Sequence, residues 1–215
     1  MKRTIVLRRA LMTGVALSAL LMTAACSDGN DVAGMDHGNA SPAVSSSATA
    51  TPTFNDADVM FAQMMIPHHQ QAVEMADLAP TRANDPELKD LAAKIKAAQD
   101  PEIATMSGWL TAWGKPTPAP SGHNMHGMGS SPTPGPSGMP GMSSEREMNA
   151  LMMAKGTDFD RMFAQMMIAH HNGAIEMAKT EQANGANNDA KALAAKIATD
   201  QAAEVQTLQK ILDRL

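Results

Sequence analysis

Aromatic side chains are scarce in this chain, and tyrosine is absent: phenylalanine and tryptophan together make up 3% of the residues. The cores of β-sandwiches depend on aromatic and β-branched side chains, so this scarcity disfavours an all-β fold. Cysteine occurs once, at Cys26, which excludes an internal disulfide and a metal cluster held by thiolates. Methionine, by contrast, reaches 20 residues. With alanine, leucine and isoleucine, it suits the core of a helical bundle.

Positive charge is also in short supply. The chain has 17 basic and 22 acidic residues, and four of the basic ones lie within the first nine positions. Without that leader, 13 basic residues remain and the net charge falls from −5 to about −9. Nucleic-acid binding requires a basic patch, so we expect no nucleic-acid partner. An acidic field attracts cations in general without selecting one.

The N-terminus has the pattern of a secretory leader. Basic residues precede a short apolar run that ends in small residues, which predicts a signal peptide over residues 1–25 rather than a membrane span. Cys26 follows Thr23-Ala24-Ala25 and resembles the lipidated cysteine of a bacterial lipobox, although Thr23 replaces the usual leucine. We therefore expect lipidation of Cys26, a flexible tether over residues 26–53 and an extracytoplasmic, membrane-anchored protein. The alternative is an ordinary signal peptide with an incidental cysteine.

A long motif occurs twice. MFAQMMIPHHQQAVEMA, from Met60 to Ala76, returns as MFAQMMIAHHNGAIEMA, from Met162 to Ala178. The same offset relates Gln99 and Glu102 to Gln201 and Glu204 further along. Each copy has the length of one helical hairpin, a repeat unit that cannot bury its apolar face alone.

The fold expected from these patterns is all-α. Residues 54–114 and 145–215 are predicted to form two helical hairpins that pack into one four-helix bundle, joined by a Pro/Gly/Met/His-rich linker over residues 115–144. The main helices are predicted at about 55–78, 85–113, 158–182 and 188–214, with a short helix at 144–155. Pro67 and Pro101 are expected to kink their helices without ending them. Gly156 is expected to break the chain before the third main helix, and Gly185 to cap that helix.

The repeated helix places histidine among methionines. At 3.6 residues per turn, His68 and His170 fall on the apolar stripe of their helices, whereas His69 and His171 lie about 100° away, as flanking positions. Thioether sulfur and imidazole together favour Cu(I), with Ag(I) expected to behave similarly. The candidate metal ligands are His68, His69, Met64, Met65, Met75, His170, His171, Met166, Met167 and Met177.

Other metals fit the motif less well. Zinc could bind the four histidines, but it would leave the methionines unexplained. A di-iron bundle needs inward glutamates and Glu-x-x-His pairs, which the motif lacks. The methionines could also be simple core residues, since Met fills irregular gaps. The linker has no core to fill, so its His123, Met125, His126 and Met128 are predicted to capture metal as auxiliary sites, and Met139 and Met142 follow them.

The two motifs resemble those of the domain-of-unknown-function-305 family, whose helix reads Met-x-x-His-His-x-x-Ala-x-x-Met. The residues that match run from Met65 to Met75 and from Met167 to Met177, and the resemblance extends over about residues 55–215 apart from the linker. It implies a ferritin-like four-helix bundle and, as in some members, copper binding and copper resistance in the periplasm. Ala169 replaces Pro67 of the first copy, so the proline is not required in both halves.

These observations predict a copper-binding lipoprotein that sequesters or buffers Cu(I), exchanges it with donor or acceptor proteins, and is not an enzyme. A copper-dependent redox enzyme is one alternative, although the sequence offers no acid or base beside the motif. A metal-free helical module that holds a partner protein is the other.

Overall fold

In the computed structural model, the described residues are 53–119 and 139–215. They form five helices, α1 to α5, with the bounds Asp56–Arg82, Pro86–Ala112, Glu145–Met153, Gly156–Asn184 and Asn188–Arg214. The predicted all-α fold is therefore confirmed. The predicted signal peptide, Cys26 and nearly all of the tether lie outside the described residues. So do His123, Met125, His126 and Met128 of the linker.

The helices begin where polar caps are available. Asn55 accepts the backbone N–H groups of Ala57 and Asp58 at the start of α1, and Ser144 forms a capping box with Glu147 at the start of α3. Asp85 caps α2, with a proline in its first turn. These caps satisfy backbone donors that have no partner inside the helix.

One predicted helix boundary differs from the observed one by four residues, and the others lie within two residues of the observed ones. α1 continues through Pro80 to Arg82, beyond the predicted end at residue 78, because a proline in the last turn removes only one helical hydrogen bond. Pro67 and Pro101 lie inside α1 and α2, which continue past them, as predicted. The chain breaks between α3 and α4, and Gly156, with φ of 63°, is the first residue of α4. Gly185 follows α4 as its C-cap.

Each repeat forms an antiparallel hairpin, α1 with α2 and α4 with α5, and α1 packs against α4 across the middle. The buried apolar residues divide into two clusters. One contains the second half of α1 and the first half of α4, and the other contains the first half of α1 and the second half of α4. None of the helices in the described part of the chain combines the length and apolar character of a membrane span.

Two carboxylates, one near the start of α1 and one near the start of α4, each bind the turn of the opposite hairpin. Asp58 accepts the backbone N–H groups of Ala186 and Asn187 at 3.1 and 2.9 Å. Asp160, at the equivalent position of the second repeat, accepts those of Asn84 and Asp85 at 3.0 and 2.9 Å. The two hairpins are thus joined by a reciprocal pair of polar contacts.

Candidate metal centre

The histidines lie between the two apolar clusters. On α1 the clusters end at Ile66 and resume at Ala72, and on α4 the corresponding gap separates Met167 from Ala174. The four histidine side chains in these gaps are fully buried: His68, His69, His170 and His171. Gln99 and Gln201 are also buried, and their amide groups have no partner among the described residues. A polar layer therefore crosses the waist of the bundle.

The inner pair of histidines meets at the centre of this layer. The ring centroids of His68 and His170 are 3.7 Å apart, with 38° between the ring planes. Nε2 of His68 lies 3.0 Å from the carbonyl oxygen of Pro140, to which it donates a hydrogen bond. That bond leaves Nδ1 of His68 as the bare nitrogen. The two copies of the motif thus place these two rings side by side.

Three nitrogens of this inner pair have no hydrogen-bond partner among the described residues: Nδ1 of His68 and both ring nitrogens of His170. A buried polar atom without a partner costs about 1–3 kcal/mol. Folded proteins retain few such atoms, and each calls for an explanation such as a bound ion, an ordered water or a catalytic role. These three nitrogens make the pair a candidate binding site.

Both inner rings are neutral at physiological pH. Burial lowers the pKa of His68 to about 3, against the opposing effect of the Pro140 carbonyl. Burial, reinforced by the neighbouring His68, lowers the pKa of His170 well below its usual value. A neutral imidazole keeps a lone pair available for a metal ion, whereas a protonated one does not.

The outer histidines each bind a glutamate from the second helix of their own hairpin. Nε2 of His69 donates to Glu102 at 2.9 Å, and Nε2 of His171 donates to Glu204 at 2.7 Å. Burial lowers the pKa of His69, although Glu102 opposes this effect. In both residues Nδ1 is buried without a partner among the described residues. These two histidines are as deeply buried as the inner pair.

The two glutamates were not identified from sequence as part of the site. Glu102 is buried and also accepts Lys196 Nζ from the other hairpin at 3.0 Å. Burial alone would raise the pKa of Glu102. The hydrogen bonds and charges of His69 and Lys196 lower the pKa by more than burial raises it, so the net shift is downward. The available signal was the recurrence of Glu102 as Glu204 in the second copy, at the same separation from the histidines.

The predicted methionine ligands are divided between the two sides of the histidine layer. Met65 and Met177 lie in one apolar cluster, and Met75 and Met167 lie in the other. Met64 and Met166 are half-buried at the edges of these clusters. In residues 53–119 and 139–215, no three histidine, cysteine or carboxylate side chains are placed to hold a metal ion among themselves.

The chain is therefore a helical protein with a polar centre, in which two duplicated hairpins enclose a layer of buried histidines. The family model for the domain of unknown function DUF305 matches residues 58–212, and the chain belongs to this family. No curated protein matches the chain.

Several solved structures are similar to it. A DUF305 protein from Streptomyces coelicolor, which its name proposes to be secreted, is 32% identical, with a TM-score of 0.63 over 74% of this chain and 91% of its own. A DUF305 fragment from Deinococcus radiodurans is 30% identical, with a TM-score of 0.64 over 76% of this chain and all of its own. CopM in its Cu(I)-bound form is 31% identical, with a TM-score of 0.58 over 73% of this chain and 96% of its own, and CopM structures with Cu(II) and silver also match.

Proposed function

We propose that this chain binds Cu(I) outside the cytoplasm and sequesters or buffers it. The observation that carries the proposal is the buried, neutral pair of His68 and His170, which has three ring nitrogens without a hydrogen-bond partner in the described part of the chain. The resemblance to CopM supports the choice of metal, since CopM has been solved with Cu(I), Cu(II) and silver bound.

The residues fit a soft ion of low coordination number. Imidazole and thioether are neutral donors that suit Cu(I), and a site of this kind does not need the three histidines or carboxylates that the described residues fail to bring together. The nitrogens of His68 and His170 are the inner donors. Met64, Met65, Met75, Met166, Met167 and Met177 supply thioethers on either side. Zinc fits less well because a histidine-only site is not preformed.

His69 and His171 are proposed to assist through Nδ1. A carboxylate that accepts the other ring N–H fixes the tautomer and orientation of a metal-binding histidine and raises its basicity. Glu102 and Glu204 occupy that role for the two outer histidines.

Competition between the protein and a Cu(I) chelator tests the proposal. In the mature chain, the double substitution His68→Ala/His170→Ala is expected to abolish the tightest site. The matched control, His123→Ala/His126→Ala, removes two histidines from the linker and is expected to weaken only auxiliary binding. Equal affinity of the wild type and the bundle variant for Cu(I) would refute the proposal.

We further propose that the chain is exported by its signal peptide and anchored through a lipid on Cys26. A relative that is named as secreted supports the export, and the position of Cys26 directly after Thr23-Ala24-Ala25 supports the anchor. Cys26→Ser is expected to release the protein from the membrane fraction, as checked by fractionation and by the mass of the mature N-terminus. Continued membrane association of Cys26→Ser would contradict the anchor.

The role proposed is binding and not catalysis. Each equivalent of Cu(I) is therefore expected to be retained without sustained oxygen consumption, measured with an oxygen electrode. Uptake that continues beyond one turnover per bound copper would favour a redox enzyme.

A further inference from the structure

Residues 139–143, which we call the strap, lead from the linker back to the bundle. Met142 N–H donates to the carbonyl of Met139 at 3.3 Å, and Gly141 has φ of 76°. Proline at the second position and a left-handed glycine at the third are the pattern of a type II turn. Met139 and Met142 therefore stand at the two ends of one tight turn.

The strap is held against the histidine pair by backbone contacts. The carbonyl of Pro140 accepts from His68, and the side chain of Gln71 exchanges two hydrogen bonds, each 2.8 Å, with the backbone of Ser143. A Cβ on Gly141 would overlap the carbonyl of Ala169, and one on Gly173 would overlap the carbonyl of Pro140. The turn thus lies directly on α4, beside His170.

The contact breaks the symmetry of the duplication. Gln71 and Gly173 occupy the same position in the two repeats, yet one binds the strap and the other makes room for it. The neighbouring residues of the two motifs are nearly identical. The difference between Gln71 and Gly173 therefore stands out, and it coincides with the different contacts that the two copies make with the strap. The histidine layer therefore has one face that the strap covers.

The two methionines of the strap are not core residues. Both are half-buried, and neither belongs to the apolar clusters or to the residues packed against them. Their thioethers are carried on a turn whose backbone contacts both His68 and His170. Thioether is a soft, neutral donor that suits Cu(I), and two thioethers on a half-buried turn are accessible to an incoming ion.

We propose that Met139 and Met142 form an entry site that captures Cu(I) or Ag(I) and passes it to the buried histidine pair. This inference rests on the proposed function, because it assumes that the pair receives the ion. The strap serves two purposes in this scheme: its thioethers hold the ion at the surface, and its Pro140 carbonyl keeps Nδ1 of His68 free to accept it.

The first test is kinetic and uses the full mature chain, with Cu(I) presented as its bicinchoninate complex. Met139→Leu/Met142→Leu is expected to slow transfer to the protein several-fold while the equilibrium affinity stays within about twofold. Met60→Leu/Met153→Leu is the matched control, since those methionines are 59% and 82% exposed on the helices. Equal transfer rates for the two double variants would overturn the entry site.

Two further measurements separate its failure from that of the proposed function. After one equivalent of Ag(I) has bound, a second equivalent is expected to shift the methyl resonances of Met139 and Met142, and shifts at Met60 and Met153 instead would overturn the inference. Gln71→Ala leaves every thioether intact but loosens the strap, and is expected to slow transfer as well; a wild-type rate would overturn the positioning argument. If His68→Ala/His170→Ala binds Cu(I) normally, the proposed function itself fails.

Discussion

A carboxylate sets the tautomer of each outer histidine: Glu102 for His69 and Glu204 for His171. A substitution that replaces one oxygen of either carboxylate should therefore change the metal affinity of the centre. Glu204→Gln keeps an acceptor in place but removes the charge that strengthens the bond to His171. Loss of such a carboxylate usually costs roughly 10–100-fold in metal affinity. We expect a decrease of about tenfold in Cu(I) affinity, measured by chelator competition. Glu176→Gln, on an exposed position of the same hairpin, should leave the affinity unchanged; an equal effect of both changes would contradict the role of Glu204.

Glu181 makes stability depend on pH. It is buried beside Asp58, and burial together with the hydrogen bond to Asp58 raises its pKa from 4.5 to about 8. Burial raises the pKa of Asp58 too, but the hydrogen bonds it accepts from backbone and Glu181 lower it overall. Neither carboxyl oxygen of Glu181 has a donor among the described residues, so the proton that Glu181 retains is the hydrogen available to join the two carboxyl groups.

The sign of the effect follows from proton binding. Between pH 4.5 and pH 8 the folded state keeps the Glu181 proton and the unfolded state has lost it, so this residue's contribution falls as pH rises. Glu181→Gln should remove that dependence, and its stability relative to wild type should increase from pH 5 to pH 8 in urea unfolding. The lowered pKa values of His68, His69 and His170 act in the opposite direction below about pH 6.5, but these residues are common to both proteins and cancel in the difference. A difference that is constant with pH would contradict the shared proton.

At the scale of elements, the strap and α4 fit because Gly173 has no side chain. Gly173→Ala should displace the Pro140 carbonyl and destabilise the protein by about 1–3 kcal/mol, the usual cost of overpacking, less the helix propensity that alanine adds. The free energy of unfolding in urea gives the change. Gly108→Ala in α2 meets no atom within 4 Å and should instead be stabilising, by up to about 1 kcal/mol. Similar values for the two substitutions would show that the strap does not rest on α4.

The elements could be predicted from sequence because their signals are local. Apolar periodicity and caps such as Asn55 and Asp85 fixed the long helices to within a few residues, and the stripe placed His68 and His170 on an inner face. Glu102 lies 33 positions from His69 along the chain, and Pro140 lies 72 positions from His68. Helical periodicity relates only residues that are close in sequence, so it could not predict these two contacts. The strap contacts the bundle mainly through its backbone. Its Pro/Gly-rich composition indicated only that it belongs to the linker.

At the scale of the molecule, the histidine layer places polar atoms in the core that have no partner among the described residues, so the two hairpins need other contacts to hold them together. The reciprocal bonds of Asp58 and Asp160 provide them at the two turns, which lie at equivalent positions of the repeat. Each carboxylate accepts backbone N–H groups that the turn residues cannot pair within their own hairpin. Hydrogen bonds to a charged group contribute roughly 1.5–3 kcal/mol each.

Asp160→Ala should therefore destabilise the protein by about 2–4 kcal/mol, since it leaves the N–H groups of Asn84 and Asp85 without their acceptor. Asp158→Ala, at an exposed acidic residue in the first turn of α4, also removes a carboxylate but no contact between hairpins, and should change stability by less than about 1 kcal/mol. Urea unfolding of both variants measures the difference. If the two values agree, the loss comes from the helix dipole and not from the junction of the hairpins. A larger loss for Asp160→Ala, accompanied by faster amide exchange at Asn84 and Asp85, would identify the junction as the contact that stabilises the duplicated fold around its polar centre.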